Sequence, residues 1–261
     1  MSTRALLASP FGFLIGVSLG ALGGGGSILA VPVLVFIAGQ APAAATTTSL
    51  VVVGVASLIG AYGHWRAGRV LVVPGLIFGL VGIGGSLTGS ALNRRLDGDV
   101  LLLAFAALVL IAAWRMAVAK KEGPDADTSR GGLRVWSPGR VAKMVAAGTV
   151  VGFLTGLFGV GGGFVIVPAL ALLLRFPMAS AIGTSLLVIA VNTAVALTAR
   201  IGAGPIDWAT TLVFTAAAIA GVGAGKKVAD RVDSKSLQKA FAVLLVGVAL
   251  YTGARALVAL F

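Results

Sequence analysis

The 261-residue chain has no cysteine, a single histidine, and eight acidic residues against twenty lysines and arginines. The lack of thiols excludes disulfides, thiolate metal sites and cysteine nucleophiles. One imidazole, His64, builds no histidine-rich metal centre. The acids (Asp97, Asp99, Glu122, Asp125, Asp127, Asp207, Asp230 and Asp233) never cluster with it at ligand spacing, so no metal and no cofactor is implied. Charge of either sign is scarce, at 11% of residues, and the only extended polar stretch is 120–132. What fills the chain instead is apolar: 58% hydrophobic residues and a mean hydropathy of +1.06, far from the composition of water-soluble domains.

Apolar runs recur over 11–38, 44–63, 70–92, 99–118, 141–174, 180–199, 206–225 and 237–260. A run of about 20 such residues crosses a ~30 Å hydrocarbon layer, so the chain reads as an all-α polytopic membrane protein. An outer-membrane barrel would instead alternate in polarity along strands of about ten residues. Arg4 before an apolar run and Ala41-Pro42-Ala43 after it imitate a secretory signal. The run is about twice the usual ~7–15-residue signal core, and a second copy lies in mid-chain, so the segment stays in the mature protein. The net charge of +12 lies between the apolar runs, which is membrane topology and not a nucleic-acid footprint.

The chain also repeats itself at an ungapped offset of 136 residues. Gly23-Gly24-Gly25-Gly26-Ser27 through Val31-Pro32 recurs as Gly159-Val160-Gly161-Gly162-Gly163 through Val167-Pro168. Gly12, Gly16 and Gly20 recur as Gly148, Gly152 and Gly156, Thr48-Ser49-Leu50 as Thr184-Ser185-Leu186, and Gly85, Gly89, Arg95 and Asp97 as Gly221, Gly225, Arg231 and Asp233. This divides the chain into a first transmembrane repeat at 1–118, a polar linker at 119–140 and a second repeat at 141–261. Duplicated halves with glycine-interrupted segments at matching positions point to a transporter and to its site.

The first segment of each repeat is too long for one crossing: 11–38 as a continuous helix would span ~42 Å and 141–174 ~51 Å. Glycine costs a helix interior ~1 kcal/mol relative to alanine, so each cluster breaks its segment into two half-helices, read here as a re-entrant hairpin. Unwound backbone survives at membrane depth only where protein or water satisfies it. With both first segments re-entrant, each repeat adds three transmembrane helices and the repeats are inverted. Arg4, Arg94, Arg95, Arg200 and Arg255 then lie outside and the other fifteen of the twenty Lys and Arg inside. Parallel repeats would divide them twelve to eight, so the positive-inside rule prefers inversion.

The candidate substrate-binding residues follow from the same duplication. Glycine backbone offers unobstructed N–H groups, and the helices expected to start at Ser27 and Gly163 carry partial positive charge at their N-termini, an anion site without buried Lys or Arg. That nominates Gly23, Gly24, Gly25, Gly26, Ser27, Gly159, Gly161, Gly162 and Gly163. The four-residue spacing of Gly12/Gly16/Gly20 and Gly148/Gly152/Gly156 instead marks helix-packing faces. Thr46 and Thr47 read as helix-start caps. Thr48, Ser49, Thr184 and Ser185 are nominated as neutral donors along the path, or else as caps, and Asn192 as a ligand contact or an interhelical bond. No carboxylate falls at membrane depth, where proton and sodium relays place one, which argues against a cation carrier. His64, beside Trp65 and Arg66 at a segment end, reads as an interfacial anchor, with a cationic pair formed with Arg200 as the alternative.

The duplicated G-x-x-G-x-G-G-G-x-x-x-V-P-x-L pattern, Gly156 to Leu170 and more loosely Gly20 to Leu34, resembles the sulfite exporter TauE/SafE family, as do Thr48–Leu50 and Thr184–Leu186. The resemblance covers about 12–118 and 141–258. It implies a bacterial cytoplasmic-membrane carrier of small anions such as sulfite, sulfonates or thiosulfate. The expected function is thus a secondary transporter of small anions working by alternating access, with a lipid bilayer as surroundings and no nucleic-acid partner. An anion channel, a non-transporting assembly subunit and a membrane-embedded enzyme are the rivals; the enzyme lacks a catalytic constellation. Small-residue faces leave room for a homodimer or for internal packing.

Overall fold

The computed structural model describes residues 3–93, 95–96, 98–118, 138–158, 163–198, 200 and 206–260. Gly159, Gly161 and Gly162 of the second glycine cluster and most of the polar linker lie outside the described residues. All regular structure among the described residues is helical. Helix α1 (Thr3–Leu22) is followed by a 3-10 turn at Gly24–Gly26, then α2 (Ser27–Phe36), α3 (Pro42–Arg66), α4 (Val72–Asn93) and α5 (Gly98–Val118). The later half holds α6 (Pro138–Phe158), α7 (Gly163–Pro168) continued by a π turn at Ala169–Leu173, α8 (Met178–Thr198), α9 (Trp208–Arg231) and α10 (Ser234–Leu260). Helix starts recur 136 residues apart at Pro42 and Met178 and at Val72 and Trp208.

Among the described residues, six stretches are long and apolar enough to cross a membrane: Ala44–Arg66, Val72–Asn93, Val141–Phe158, Met178–Thr198, Trp208–Arg231 and Ser234–Ala254. Ser9–Leu22, Gly24–Phe36, Leu103–Val118 and Gly163–Leu173 are shorter apolar stretches. Large side chains such as Leu58, Leu80, Leu87, Ile111, Leu212, Val243 and Leu250 remain exposed, as lipid-facing residues would.

Two interfaces built on glycine hold the helices together. Along α1 and α9, a Cβ at Gly16 would collide with the backbone of Ala218 and one at Gly20 with that of Val222, while Gly12 lies beside Phe214. Gly221 and Gly225 of α9 answer from the other side, against the backbone of Phe13 and Val17. The same construction joins α6 to α4: Gly148 faces Phe78, Gly152 faces Gly82 and Gly156 faces Ser86, with Gly85 and Gly89 against Thr149 and Phe153. Lipid tails are as apolar as leucine, so helices in a membrane associate through such close packing and not through water exclusion. The packing role expected of the spaced glycines is the one observed, and these faces are used internally.

The contacts also fix helix directions. The pairs Gly12–Phe214, Gly16–Ala218 and Gly20–Val222 rise together, so α1 and α9 are parallel. Thr48–Thr211 and Gly60–Val222 make α3 parallel to α9 as well. Because α1 and α3 point the same way, α2 must return the chain between them. The turn begins at Gly23, whose φ of 73° is a left-handed conformation suited to glycine, and brings Gly26 back beside Ile15 and Leu19. By contrast α3 runs antiparallel to α8, through Gly54–Thr193 and Gly60–Leu186. Likewise α5 is antiparallel to α10: the Gln238 amide donates to the Met116 carbonyl, and Gly253 lies by Ala106.

The segment breaks at the glycines as expected, but its arms are unequal: α2 has 10 residues and α1 has 20, of which Ser9–Leu22 are the apolar stretch. Its three spaced glycines stay helical since their missing side chains are what admit α9; only the uninterrupted run from Gly23 breaks the helix. On length, Val141–Phe158 of α6 qualifies as a crossing. Thr46 and Thr47 do not cap α3, which starts earlier at Pro42, a residue suited to a first helical position because it has no N–H to leave unpaired. The Thr46 hydroxyl donates back to the Pro42 carbonyl at 2.7 Å.

Helix α9 has a genuine side-chain cap. Asp207 accepts from the Thr210 N–H at 3.2 Å and from its hydroxyl, which holds the carboxyl below its ordinary value. A carboxylate depressed on folding stabilises above its unfolded pKa and loses that contribution as pH falls through the folded one. Asp207→Ala is expected to cost ~1 kcal/mol at neutral pH, lowering the melting temperature in detergent by roughly 2–4 °C. Wild type and variant should converge as the pH is taken below the carboxylate range; an undiminished difference there would rule the cap out as its cause.

Candidate functional site

The glycine turn between α1 and α2 meets the start of α7 inside the helix assembly. Gly24, Gly25, Gly26, Ser27 and Gly163 are all buried. A Cβ at Gly24 would collide with the Gly163 carbonyl, and one at Gly163 would lie 2.6 Å from the Ser27 hydroxyl. Two glycine-broken segments, 136 residues apart in sequence, thus touch backbone to backbone. A helix starts at Ser27 as the sequence suggests, and Gly163 is the first described residue of α7.

The N-terminus of α2 is left without a side-chain cap: Gly26 has none to offer, and the Ser27 hydroxyl donates to the Gly24 carbonyl at 2.8 Å. A helix N-terminus has N–H groups with no intrahelical partner and a partial positive charge. The side chains that a Cβ on Gly23, Gly25 or Gly26 would meet are Ser185, Val167, Leu244, Phe241, Ser18 and Leu19, none of them acidic. The turn is an apolar-walled run of backbone with serines at its edge, and the Ser27 N–H donates to the Gly24 carbonyl.

Of the other nominated residues, Ser185 joins this junction. Its hydroxyl donates to the Ile182 carbonyl at 2.8 Å and lies 2.5 Å from where a Cβ of Gly23 would be. Thr48, Thr184 and Asn192 lie elsewhere. Thr48 is buried against α9, 3.4 Å from the Thr211 hydroxyl. Thr184 accepts from the Leu71 N–H at 3.0 Å, which pins the turn into α4. Asn192 packs by Gly79, and its buried Oδ1 makes no interhelical hydrogen bond. Ser49 is buried on α3.

His64 departs from its expected role. It is 1% exposed, where an interfacial anchor would reach the headgroups; its neighbour Trp65 is the exposed one. Burial follows from close packing: Gly183 of α8 admits the His64 Cβ, and Nε2 donates to the Gly20 carbonyl at 3.0 Å. Sequence reasoning also passed over Ser18, whose buried Oγ has no partner and faces Gly25. No periodic signal marks it, because position 154 of the second copy is a leucine.

Among the described residues no group of acids and histidines has a metal-binding arrangement. A groove of about 370 Å³ lies between α3 and α8, lined by Leu50, Val51, Val55, Leu58, Leu187 and Leu197 among others. Its walls are apolar and it is separate from the glycine junction.

The profile of the sulfite exporter TauE/SafE family matches residues 8–252. A "Probable membrane transporter protein" of Xylella fastidiosa (strain 9a5c) is 34% identical over 243 residues, 92% of this chain and 91% of that protein. "Probable membrane transporter protein YunE" of Bacillus subtilis (strain 168) is 26% identical over 258 residues, covering 92% of each. No solved structure matches the chain significantly. With its apolar helices and the match running over nearly the whole length, the chain is a multi-pass membrane transporter, not an enzyme, and belongs to the sulfite exporter TauE/SafE family.

Proposed function

We propose that this protein is a secondary transporter that moves small anions, sulfur-containing oxyanions or organosulfonates, across a bacterial cytoplasmic membrane by alternating access. The observation that carries the reading is the buried contact of Gly24 with Gly163 beside the uncapped start of α2. Such a site binds an anion through backbone N–H groups and helix dipoles, without the desolvation cost of a buried cation. The family's printed description, a sulfite exporter, favours sulfur oxyanions. Gly23, Gly25, Gly26, Ser27 and Ser185 complete the site, and Gly159, Gly161 and Gly162 belong to it by the repeat.

The two halves are inverted repeats in this reading. Its support is that corresponding helices, α3 with α8 and α5 with α10, run antiparallel, and that the α1–α9 contact recurs as α6–α4. The helix directions also bring the start of α1 and the ends of α4, α8 and α10 to one end. Arg4, Arg95, Arg200 and Arg255 fall there in sequence, the sparsely charged side assigned to the exterior. The α1–α2 hairpin then enters and leaves on that side. A backbone junction closed by packing fits a carrier better than an open channel.

Counterflow into liposomes tests the reading. With unlabelled sulfite, ethanesulfonate or thiosulfate inside, saturable entry of the labelled ion is expected for at least one. No counterflow across the panel, with folding verified, would reject the class. Gly161→Leu and Gly162→Leu are expected to lose this flux while the protein is still produced; normal flux in both would remove the glycine segments from the site.

A further inference from the structure

We infer that His64 is the proton-carrying residue of this transporter, taking up a proton on Nδ1 as the anion enters the glycine turn. The inference rests on the anion-transport reading above. It begins with the Nε2 hydrogen bond to the Gly20 carbonyl. A carbonyl only accepts, so Nε2 carries the hydrogen and Nδ1 of the neutral ring holds a lone pair. That atom is buried and has no hydrogen-bond partner, in a side chain 1% exposed. A buried acceptor left unmade is costly unless a later state uses it. Here the later state is close by, because Gly20 precedes the positive-φ turn at Gly23 by less than one helical turn.

The charges around His64 tie its proton to an anion. Arg69, in the turn between α3 and α4, and Lys226 and Asp230 of α9 are the charged groups whose fields reach it. Arg69 and Lys226 both pair with Asp230, so the one carboxylate is already shared between two cations. From α1 and α8 the facing residues are Gly20 and Gly183, which do not titrate. A proton on Nδ1 therefore adds positive charge beside two cations and one engaged acid. An anion in the adjacent turn relieves that repulsion, and by linkage the proton favours the anion equally. The proton comes from water on the side where Nδ1 is accessible and leaves, with the anion, on the other; no other bond changes. His64 is the chain's only histidine and there is no cysteine, so no other side chain titrates near neutrality at its unperturbed pKa.

The test compares wild type with His64→Gln, whose amide keeps a donor for Gly20 but binds no proton. Ethanesulfonate and thiosulfate serve as probes because both stay ionised between pH of about 6 and 8. Counterflow at equal pH on both faces reads anion exchange alone; uptake driven by an acid-outside gradient reads coupling. Wild type is expected to accumulate ethanesulfonate up to about tenfold per pH unit, for one proton per monovalent anion. The variant should lose the gradient response, and its counterflow, weaker than that of wild type because the linked proton is missing, should no longer change with pH. A variant that still follows the gradient, or a wild type that ignores it while exchanging anions, overturns the inference and leaves the anion reading intact. No counterflow of either probe in wild type removes both. Should His64→Gln fail to fold, proton uptake by wild type on binding these anions in weakly buffered detergent decides: uptake near neutral pH upholds the role, and none overturns it.

Discussion

Gly16→Ala and Gly152→Ala are expected to lower the melting temperature in detergent by roughly 5 °C or more, and the isoleucine variants to yield no monodisperse protein. At both positions the new Cβ meets main chain: Ala218 for Gly16 and Gly82 for Gly152. A crowded side chain can change rotamer, but a backbone cannot, so the helices must separate along their whole line of contact. Ordinary overpacking costs ~1–3 kcal/mol, and these sites lie at the upper end or beyond. In a chain of this size each kcal/mol corresponds to roughly 2–4 °C. Gly84, Gly223 and Gly247 are the controls, since a Cβ there meets nothing within 4 Å. Alanine at those sites should be neutral or slightly stabilising, because it is the better helix former. Equal melting temperatures for the two sets would mean that the α1–α9 and α4–α6 contacts are not what holds the protein together.

Gly24→Ala is expected to reduce anion counterflow at least tenfold. Its Cβ would collide with the Gly163 carbonyl, forcing apart the two segments whose meeting forms the proposed site. Backbone donors have no side-chain torsion with which to recover a ligand, so a shift of a few tenths of an ångström is felt directly. Gly25→Ala is the matched comparison. Its Cβ would crowd the end of the Leu244 side chain, at 2.5 Å, which a rotamer change relieves, and would meet Phe241 and Ser18 at ordinary contact distances. Flux through that variant should stay within a few-fold of wild type. Size-exclusion profiles of the two proteins separate lost transport from lost folding. If Gly24→Ala transports normally in a folded protein, the junction is structural and the anion binds elsewhere.

The outcome at individual residues follows the physics of each signal. The helix start at Ser27 was legible because four clustered glycines interrupt a helix whatever surrounds them. The spaced glycines were legible as packing faces because a four-residue period puts them on one side of a helix. His64 was misread because its local neighbours, Trp65 and Arg66, are interfacial residues, whereas its burial depends on Gly20 and Gly183 from distant helices. That the Thr184 hydroxyl accepts from the Leu71 N–H, 113 residues away in sequence, was not legible, because nothing local to either residue encodes the pairing.

By itself the sequence determined the solvent, the helical class and the helix break at Gly23. Hydropathy, period and glycine content act within one or two turns of chain and need no partner to be read. Tertiary structure alone decided which faces meet and that α3 runs antiparallel to α8 and α5 to α10. It also decided that a lone histidine is sealed against the backbone of α1. Those outcomes depend on which residue stands opposite a missing side chain, and that pairing is long-range: Gly20 admits Val222 only because α1 and α9 come together, which nothing local to either helix encodes.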